Sequence, residues 1–190
     1  MRTFIAIELS QETREYLSKI QQQTQTVCRR GNYVPEDNFH ITLHFLGEIT
    51  AADIEPLKIA MFEAAQKNRA FELELGRIGF FPKGRNGVLW AGLKKSSSME
   101  RLFFQLQKSL ERQGFGRGKK GLSPHITLGR EVEPQRGFSD VEKAVRVEGK
   151  PFVVDKISLM ESVRMGPRLV YKPIYRQLLR EQQEKKQDEN

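Results

Sequence analysis

Three histidines are spread over the 190 residues, and two of them stand in the same four-residue pattern. His40-Ile41-Thr42-Leu43 lies in the first half and His125-Ile126-Thr127-Leu128 in the second. Each sits in a run that reads as a β-strand. Side chains on a strand alternate between faces, so a His and a Thr two positions apart share one. Each motif therefore presents an imidazole beside a hydroxyl. An imidazole titrates near a pKa of ~6.5 and serves as acid or base around neutrality. Two such pairs, brought together, supply one acid, one base and two hydroxyl donors for a developing anion. That set suits in-line displacement at a phosphodiester: a base takes the proton of attacking water, an acid supplies the departing alkoxide, and the threonines hold the non-bridging oxygens. The scheme needs no metal and no cofactor.

Either motif alone carries little weight, because its spacing is short and its residues common; the duplication is what counts. A zinc site is the rival to face, since His40 and His44 are four residues apart. But Phe39, Ile41, Leu43 and Phe45 alternate with His40, Thr42 and His44, which is strand periodicity. At ~3.3 Å per residue the two rings are ~13 Å apart, too far for one ion with Zn–N bonds of about 2.0–2.1 Å. Strict alternation puts His44 on the face of His40, as a solvated residue at the cleft edge, and Phe45 on the core face. Arg130 likewise faces away from His125 unless the strand bulges or ends at Gly129. No Gly-x-Ser-x-Gly elbow occurs, and Gly118-Lys119-Lys120-Gly121 lacks the spacing and Ser/Thr of an ATP-binding loop.

The elements that must position these residues follow from pattern. Phe4 to Leu9 reads as a buried strand. Ser10 caps a helix over Gln11 to Val27, with Tyr16, Leu17, Ile20 and Val27 at helical spacing. Gly31-Asn32 reads as a breaker and Cys28 as an ordinary residue near a helix end. Phe39 to Leu46 carries the first motif. Thr50, with Asp53 three residues on, caps a helix whose buried stripe is Ile54, Leu57, Met61 and Ala64. Phe71 to Leu75 and Val88 to Leu93 read as strands, and Met99 to Leu110 as a helix ending at Gly114. The second motif follows a basic stretch, 116–121. Phe152 to Met160 and Leu169 to Leu178 read as two further strands. This order predicts an α+β fold with mostly antiparallel sheet. The polar end, from 179 to 190, is expected to be a disordered tail.

Lys and Arg number 32 against 24 Asp and Glu, a formal net charge of +8. That excess favours a polyanion such as nucleic acid, or simply keeps the chain soluble. The single cysteine excludes an intrachain disulfide. Glu8 interrupts the opening apolar run too early for a signal peptide, and no run approaches the ~20 residues of a membrane span. A cytoplasmic protein, away from membranes, is the expectation.

Taken together, His40-Ile-Thr-Leu-His-Phe-Leu-Gly47 and Pro124-His-Ile-Thr-Leu-Gly-Arg130 resemble the two-histidine phosphoesterase superfamily. The opening Arg2-Thr3-Phe4-Ile5-Ala6-Ile7 and the closing Val170-Tyr171 resemble its LigT branch, the RNA 2′,3′-cyclic phosphodiesterases formerly called 2′-5′ RNA ligases. The resemblance covers nearly all of residues 1–178, as one bilobal domain. It implies two α+β lobes, each with an antiparallel sheet and flanking helices, related by a pseudo-two-fold and facing each other across a cleft that carries both motifs. It also implies hydrolysis of a terminal 2′,3′-cyclic phosphate to a 2′-phosphate, with His40 as proton donor and His125 as acceptor. Thr42 and Thr127 would hold the phosphate. Arg130 matches a basic residue that would neutralise it, and Phe45 an aromatic that would stack on a base or pack in the core. The same groups would join a 5′-hydroxyl to a cyclic phosphate. The implied partner is RNA with a cyclic phosphate end, tRNA fragments among the candidates, met by a monomer. Lys83-Gly84-Arg85 and the 116–121 stretch would track an RNA backbone or stand as solvated loops. A small cyclic nucleotide as substrate, or RNA binding without catalysis, are the alternatives.

Overall fold

The computed structural model describes residues 1–116 and 121–182. Nine strands and four α-helices are formed among them: β1 (Arg2–Glu8), α1 (Gln11–Gln25), β2 (Cys28–Tyr33), β3 (His40–Glu48), α2 (Ile54–Gln66), β4 (Phe71–Lys83), β5 (Asn86–Leu93), α3 (Ser97–Arg112), β6 (His125–Pro134), α4 (Phe138–Ala144), β7 (Pro151–Val154), β8 (Lys156–Met165) and β9 (Arg168–Leu178). They build two antiparallel sheets, one of four strands in the order β3-β1-β8-β9 and one of five in the order β2-β6-β5-β4-β7. The α+β expectation holds, and each sheet carries one motif strand.

The helices start where side chains catch the free N–H groups. Ser10 accepts from the Thr13 amide at 3.2 Å, and Thr50 and Asp53 form a reciprocal capping box. α2 packs on β8 and β9, and α1 on β2 and β6, while α3 lies against α2. One continuous core joins both sheets, with Ile7, Leu17, Ile41, Leu57, Leu102 and Ile126 fully buried. A small second cluster, Phe4, Ala6 and Met160 with Tyr171, lies on the four-stranded sheet.

Three expectations are corrected. Gly31-Asn32 does not break the chain but lies inside β2, an edge strand whose pairing with β6 is interrupted twice. Glycine stands at 31 because a Cβ there would meet Val132 at 2.9 Å and the Tyr33 ring at 3.2 Å. Cys28 opens this strand and is buried. The run from Phe152 to Met160 is two strands in different sheets: Val154 pairs with Phe71 and Lys156 with Leu178, leaving Asp155 as the whole crossover. Hydrophobic pattern alone cannot divide such a run. At the C-terminal end, Leu179 is buried and donates to the Asp155 carbonyl at 2.7 Å, and Arg180 bridges to Arg69. The docked chain thus extends past Leu178; residues 183–190 lie outside the described part. No helix among the described residues is long and apolar enough to cross a membrane.

Candidate active site

Both motif strands depart from regular pairing at the same place. On β3, Thr42 pairs with Ala6 and His44 with Ile5, so Leu43 is an extra residue. On β6, Thr127 pairs with Trp90 and Gly129 with Leu89, so Leu128 is extra. Each is a β-bulge, which resets the alternation beyond it. Leu43 and His44 are consecutively buried, as are Leu128 and Gly129. The residue five past each histidine, Phe45 or Arg130, is thereby returned to the histidine's own face.

This corrects two expectations and decides a third. Phe45 is not a core residue: it is 72% exposed, its ring 6.2 Å from that of Phe4. His44 is not solvated: it is 6% exposed, and its Nδ1 lies within 3.1 Å of the Gln107 amide on α3. It sits on the opposite face from His40, so the two cannot share an ion. Arg130 comes round to the His125 face, between the bulge and Glu131, the one non-glycine residue with positive φ (51°) among those described. Gln21 of α1 pins this second bulge by donating to the Leu128 carbonyl at 2.7 Å.

The two imidazoles are held alike. His40 Nδ1 lies 2.7 Å from the Asn38 carbonyl, and His125 Nδ1 lies 2.8 Å from that of Ser123. A carbonyl only accepts, so Nδ1 carries the proton in both rings and Nε2 is left as the working nitrogen. In His40, Nε2 is 3.0 Å from the Thr42 hydroxyl. Aromatic rings flank both: Phe4 at 4.8 Å and Tyr171 at 5.1 Å from His40, Phe81 at 5.4 Å and Trp90 at 6.2 Å from His125. None of these four was legible as a site residue. They come from strands distant in sequence, and an aromatic in an apolar run reads as core.

His40 titrates below the ordinary imidazole range. Burial is the main cause; the Asn38 carbonyl opposes it, and the electrostatic influence of Arg130 and His125 adds to it. The two motif strands, β3 and β6, also contact each other. Of the basic stretches, Gly84-Arg85 is the exposed turn of the β4–β5 hairpin, with glycine at φ 66° as such a turn requires. Residues 117–120 of the other lie outside the described part.

Asn38 is a positioning residue that sequence reading overlooked. It is buried, donates to the Leu169 carbonyl at 2.7 Å and accepts from the Tyr171 amide at 3.1 Å. It thus ties the carbonyl behind His40 to β9. Asn38→Ala is expected to cost about 1–3 kcal/mol of stability through the polar groups it strands. It should also lower kcat about tenfold with little change in KM. Imidazole nitrogen shifts showing His40 partly in the other tautomer would verify the cause; an unchanged tautomer would refute it.

Burial of His44 also depresses its pKa, against the opposing Gln107 bond. For the half-buried His40 and the buried His44 the sign is the same. Below pH ~6.5 the unfolded chain takes up protons that the native state refuses, so stability falls with falling pH by at most about 1.4 kcal/mol per pH unit per ring. Urea midpoints should be lower at pH 5.5 than at 7.5, and less so in His44→Gln. Equal midpoints in the parent protein would contradict this.

Comparison with known proteins agrees with the geometry. Residues 7–90 match the model of the LigT-like phosphoesterases. An RNA 2′,3′-cyclic phosphodiesterase of Aeropyrum pernix is 32% identical over 152 residues, spanning 75% of this chain and 82% of that protein. The chain belongs to the LigT-like phosphoesterase family. A Thermotoga maritima protein of the same name is 26% identical, over 92% of this chain and 94% of its own. Among solved structures of this family, Escherichia coli LigT complexed with 3′-AMP superposes with a TM-score of 0.75 at 26% identity, covering 94% of this chain and 97% of that one.

Proposed function

We propose that this LigT-like phosphoesterase hydrolyses the 2′,3′-cyclic phosphate at the end of an RNA to a 2′-phosphate, by acid–base catalysis without a metal ion. The observation that carries the reading is the matched pair of imidazoles. Both are locked by Nδ1 onto a carbonyl two residues back, which turns Nε2 to the working side, where that of His40 meets Thr42. The names of the relatives and the nucleotide held by the Escherichia coli protein support RNA as the substrate class, as does the net charge of +8.

In this mechanism His125 Nε2 takes the proton of the attacking water. The P–O3′ bond breaks, and His40 Nε2 protonates the departing 3′ oxygen. In the free protein His40 is held neutral and accepts a hydrogen bond from Thr42. An entering phosphate anion offsets the burial and the Arg130 charge, and His40 gains its proton. Once Nε2 is protonated it no longer accepts, and the Thr42 hydroxyl turns to a non-bridging oxygen. A depressed pKa then helps, because it makes the imidazolium a stronger acid toward the 3′ alkoxide. Thr127 and the Arg130 guanidinium stabilise the charge that accumulates on phosphorus. A 5′-hydroxyl in the place of water keeps every role and yields a 2′-5′ linkage.

The test is incubation with an RNA oligomer ending in a 2′,3′-cyclic phosphate, in the presence of EDTA. A 2′-phosphate terminus is the expected product. Turnover only after magnesium or zinc is added would overturn metal independence. A 3′-phosphate would overturn the assigned leaving group.

A further inference from the structure

The ribbon formed by β8 and β9 runs on past the sheet that carries it. β1 pairs with β8 only from Ser158 to Glu161, whereas β8 and β9 stay paired as far as Met165 and Arg168. Residues 162–171 therefore form a two-stranded arm. Its loop is two residues, Gly166-Pro167, with Gly166 at φ 60° as a type II′ turn requires. The arm is turned back onto His40. Asn38 holds its edge as a neighbouring strand would, through the Leu169 carbonyl and the Tyr171 amide. The Tyr171 ring lies 5.1 Å from that of His40 and 5.0 Å from that of Phe4.

Alternation assigns the faces of the arm. Pairing is regular from Met160 to Met165, so residues directly opposite each other share a face. Ser162 and Tyr171 are one such pair; Arg164 and Leu169 are the pair two positions further out, on the same face. Both are exposed. The face that Tyr171 presents to the acid thus continues outward as a cation beside an apolar side chain, about 7 Å along the ribbon at ~3.3 Å per residue. The arm carries no carboxylate, and Arg164 makes no ion pair among the described residues. Arg168 and Lys172 belong to the opposite face, where Glu161 stands across from Lys172.

The chemistry of the reaction says what belongs on that face. O2′ and O3′ sit on the last ribose, and the rest of the RNA leaves that ribose through its 5′ carbon. O3′ departs on the His40 side, so the body of the strand runs off on that side too. The cavity of about 230 Å³ beside His40 is no path for phosphates, because it sets Arg14 and Arg176 against Asp37 and Glu8. We propose that the β8–β9 arm holds the body of the RNA that carries the cyclic phosphate, with Arg164 on the first phosphate 5′ of the terminal nucleotide and Leu169 against the sugar between them. This rests on the roles assigned to His40 and His125 above. A cyclic mononucleotide with a 5′-hydroxyl has no such phosphate, so the arm sets a preference for oligomers over mononucleotides.

The test compares hydrolysis of an RNA tetramer ending in a 2′,3′-cyclic phosphate with that of a 2′,3′-cyclic mononucleotide. Arg164→Ala should lower kcat/KM on the tetramer about tenfold, the scale of one charged hydrogen bond, chiefly through KM. Turnover of the mononucleotide should not change. The salt dependence for the tetramer (log kcat/KM against log salt) should be shallower by about 0.7, for one lost phosphate contact. Arg168→Ala/Lys172→Ala removes two charges from the other face and should keep the parent's preference for the tetramer. A parent without that preference, or a preference that survives Arg164→Ala, would overturn the proposal. So would an equal loss in the double variant, because the arm would then act by general charge and not through one face. If the parent hydrolyses neither substrate, the proposed function fails. Fluorescence anisotropy with a labelled RNA tetramer that ends in hydroxyls then reads the arm by itself: weaker binding by Arg164→Ala than by the double variant supports the assigned face, and the reverse order refutes it.

Discussion

Alanine in place of either His40 or His125 is expected to lower kcat/KM on a cyclic-phosphate RNA by about 10²–10⁴, the usual worth of a positioned acid or base. That is roughly 3–5 kcal/mol of transition-state stabilisation at 1.36 kcal/mol per decade. The two losses should not add, because acid and base act in one step, so the double variant should be little worse than the poorer single one. The roles separate by leaving group. An aryl phosphodiester expels an anion that needs no proton, so it should largely rescue His40→Ala and leave His125→Ala impaired. Rescue of His125→Ala instead would reverse the assignment, and full activity of either variant on RNA would remove its histidine from the mechanism. His40 packs between Phe4 and Tyr171, so His40→Gln, which fills more of the space, serves as a second variant if the alanine form melts early.

The pairing of a histidine with a threonine on one strand face was legible because it is written in short range. A His and a Thr two apart on a strand share a face in any regular sheet, and the duplication is visible without a fold. What pattern could not supply was the phase of the strand beyond Thr42 and Thr127. The alternation of Phe39, Ile41, Leu43 and Phe45 predicts a core residue at 45, and one bulged leucine inverts it. The same inversion buries His44 and returns Arg130 to the face of His125. A bulge leaves little trace in composition, since Leu43 and Leu128 are buried like their neighbours; the glycine after Leu128 was the single hint. The partners of the histidines were hidden for a different reason. Tyr171 and Asn38 meet through the β9 edge, and Trp90 reaches His125 through β5–β6 pairing. Such contacts belong to register, which a sequence of separate strands does not fix. The split at Asp155 is of the same kind, because which sheet each half of an apolar run joins is a tertiary matter.

Arg130 is where that hidden geometry should have its largest measurable consequence. Arg130→Ala is expected to lower kcat/KM by about 10²–10³, the scale for removing one preorganised donor from a developing anion. Lys should restore part of this, keeping the charge but not the paired donors of a guanidinium. A second effect follows from His40. Burial is the main reason its pKa is low, but the positive charge of Arg130 contributes. Removing that charge raises the His40 pKa. His40 must be protonated to act as the acid, so activity falls as pH rises through its pKa in the complex. The alkaline limb of the kcat profile should therefore move to higher pH in Arg130→Ala even as the maximum drops. Nitrogen-detected titration of His40 should move the same way, and Arg130→Lys should keep it near the parent position. A guanidinium that merely sat on the outer face of β6 would change neither limb nor titration. The combination of a lower maximum and a shifted limb thus reports the bulge at Leu128 as directly as it reports the residue.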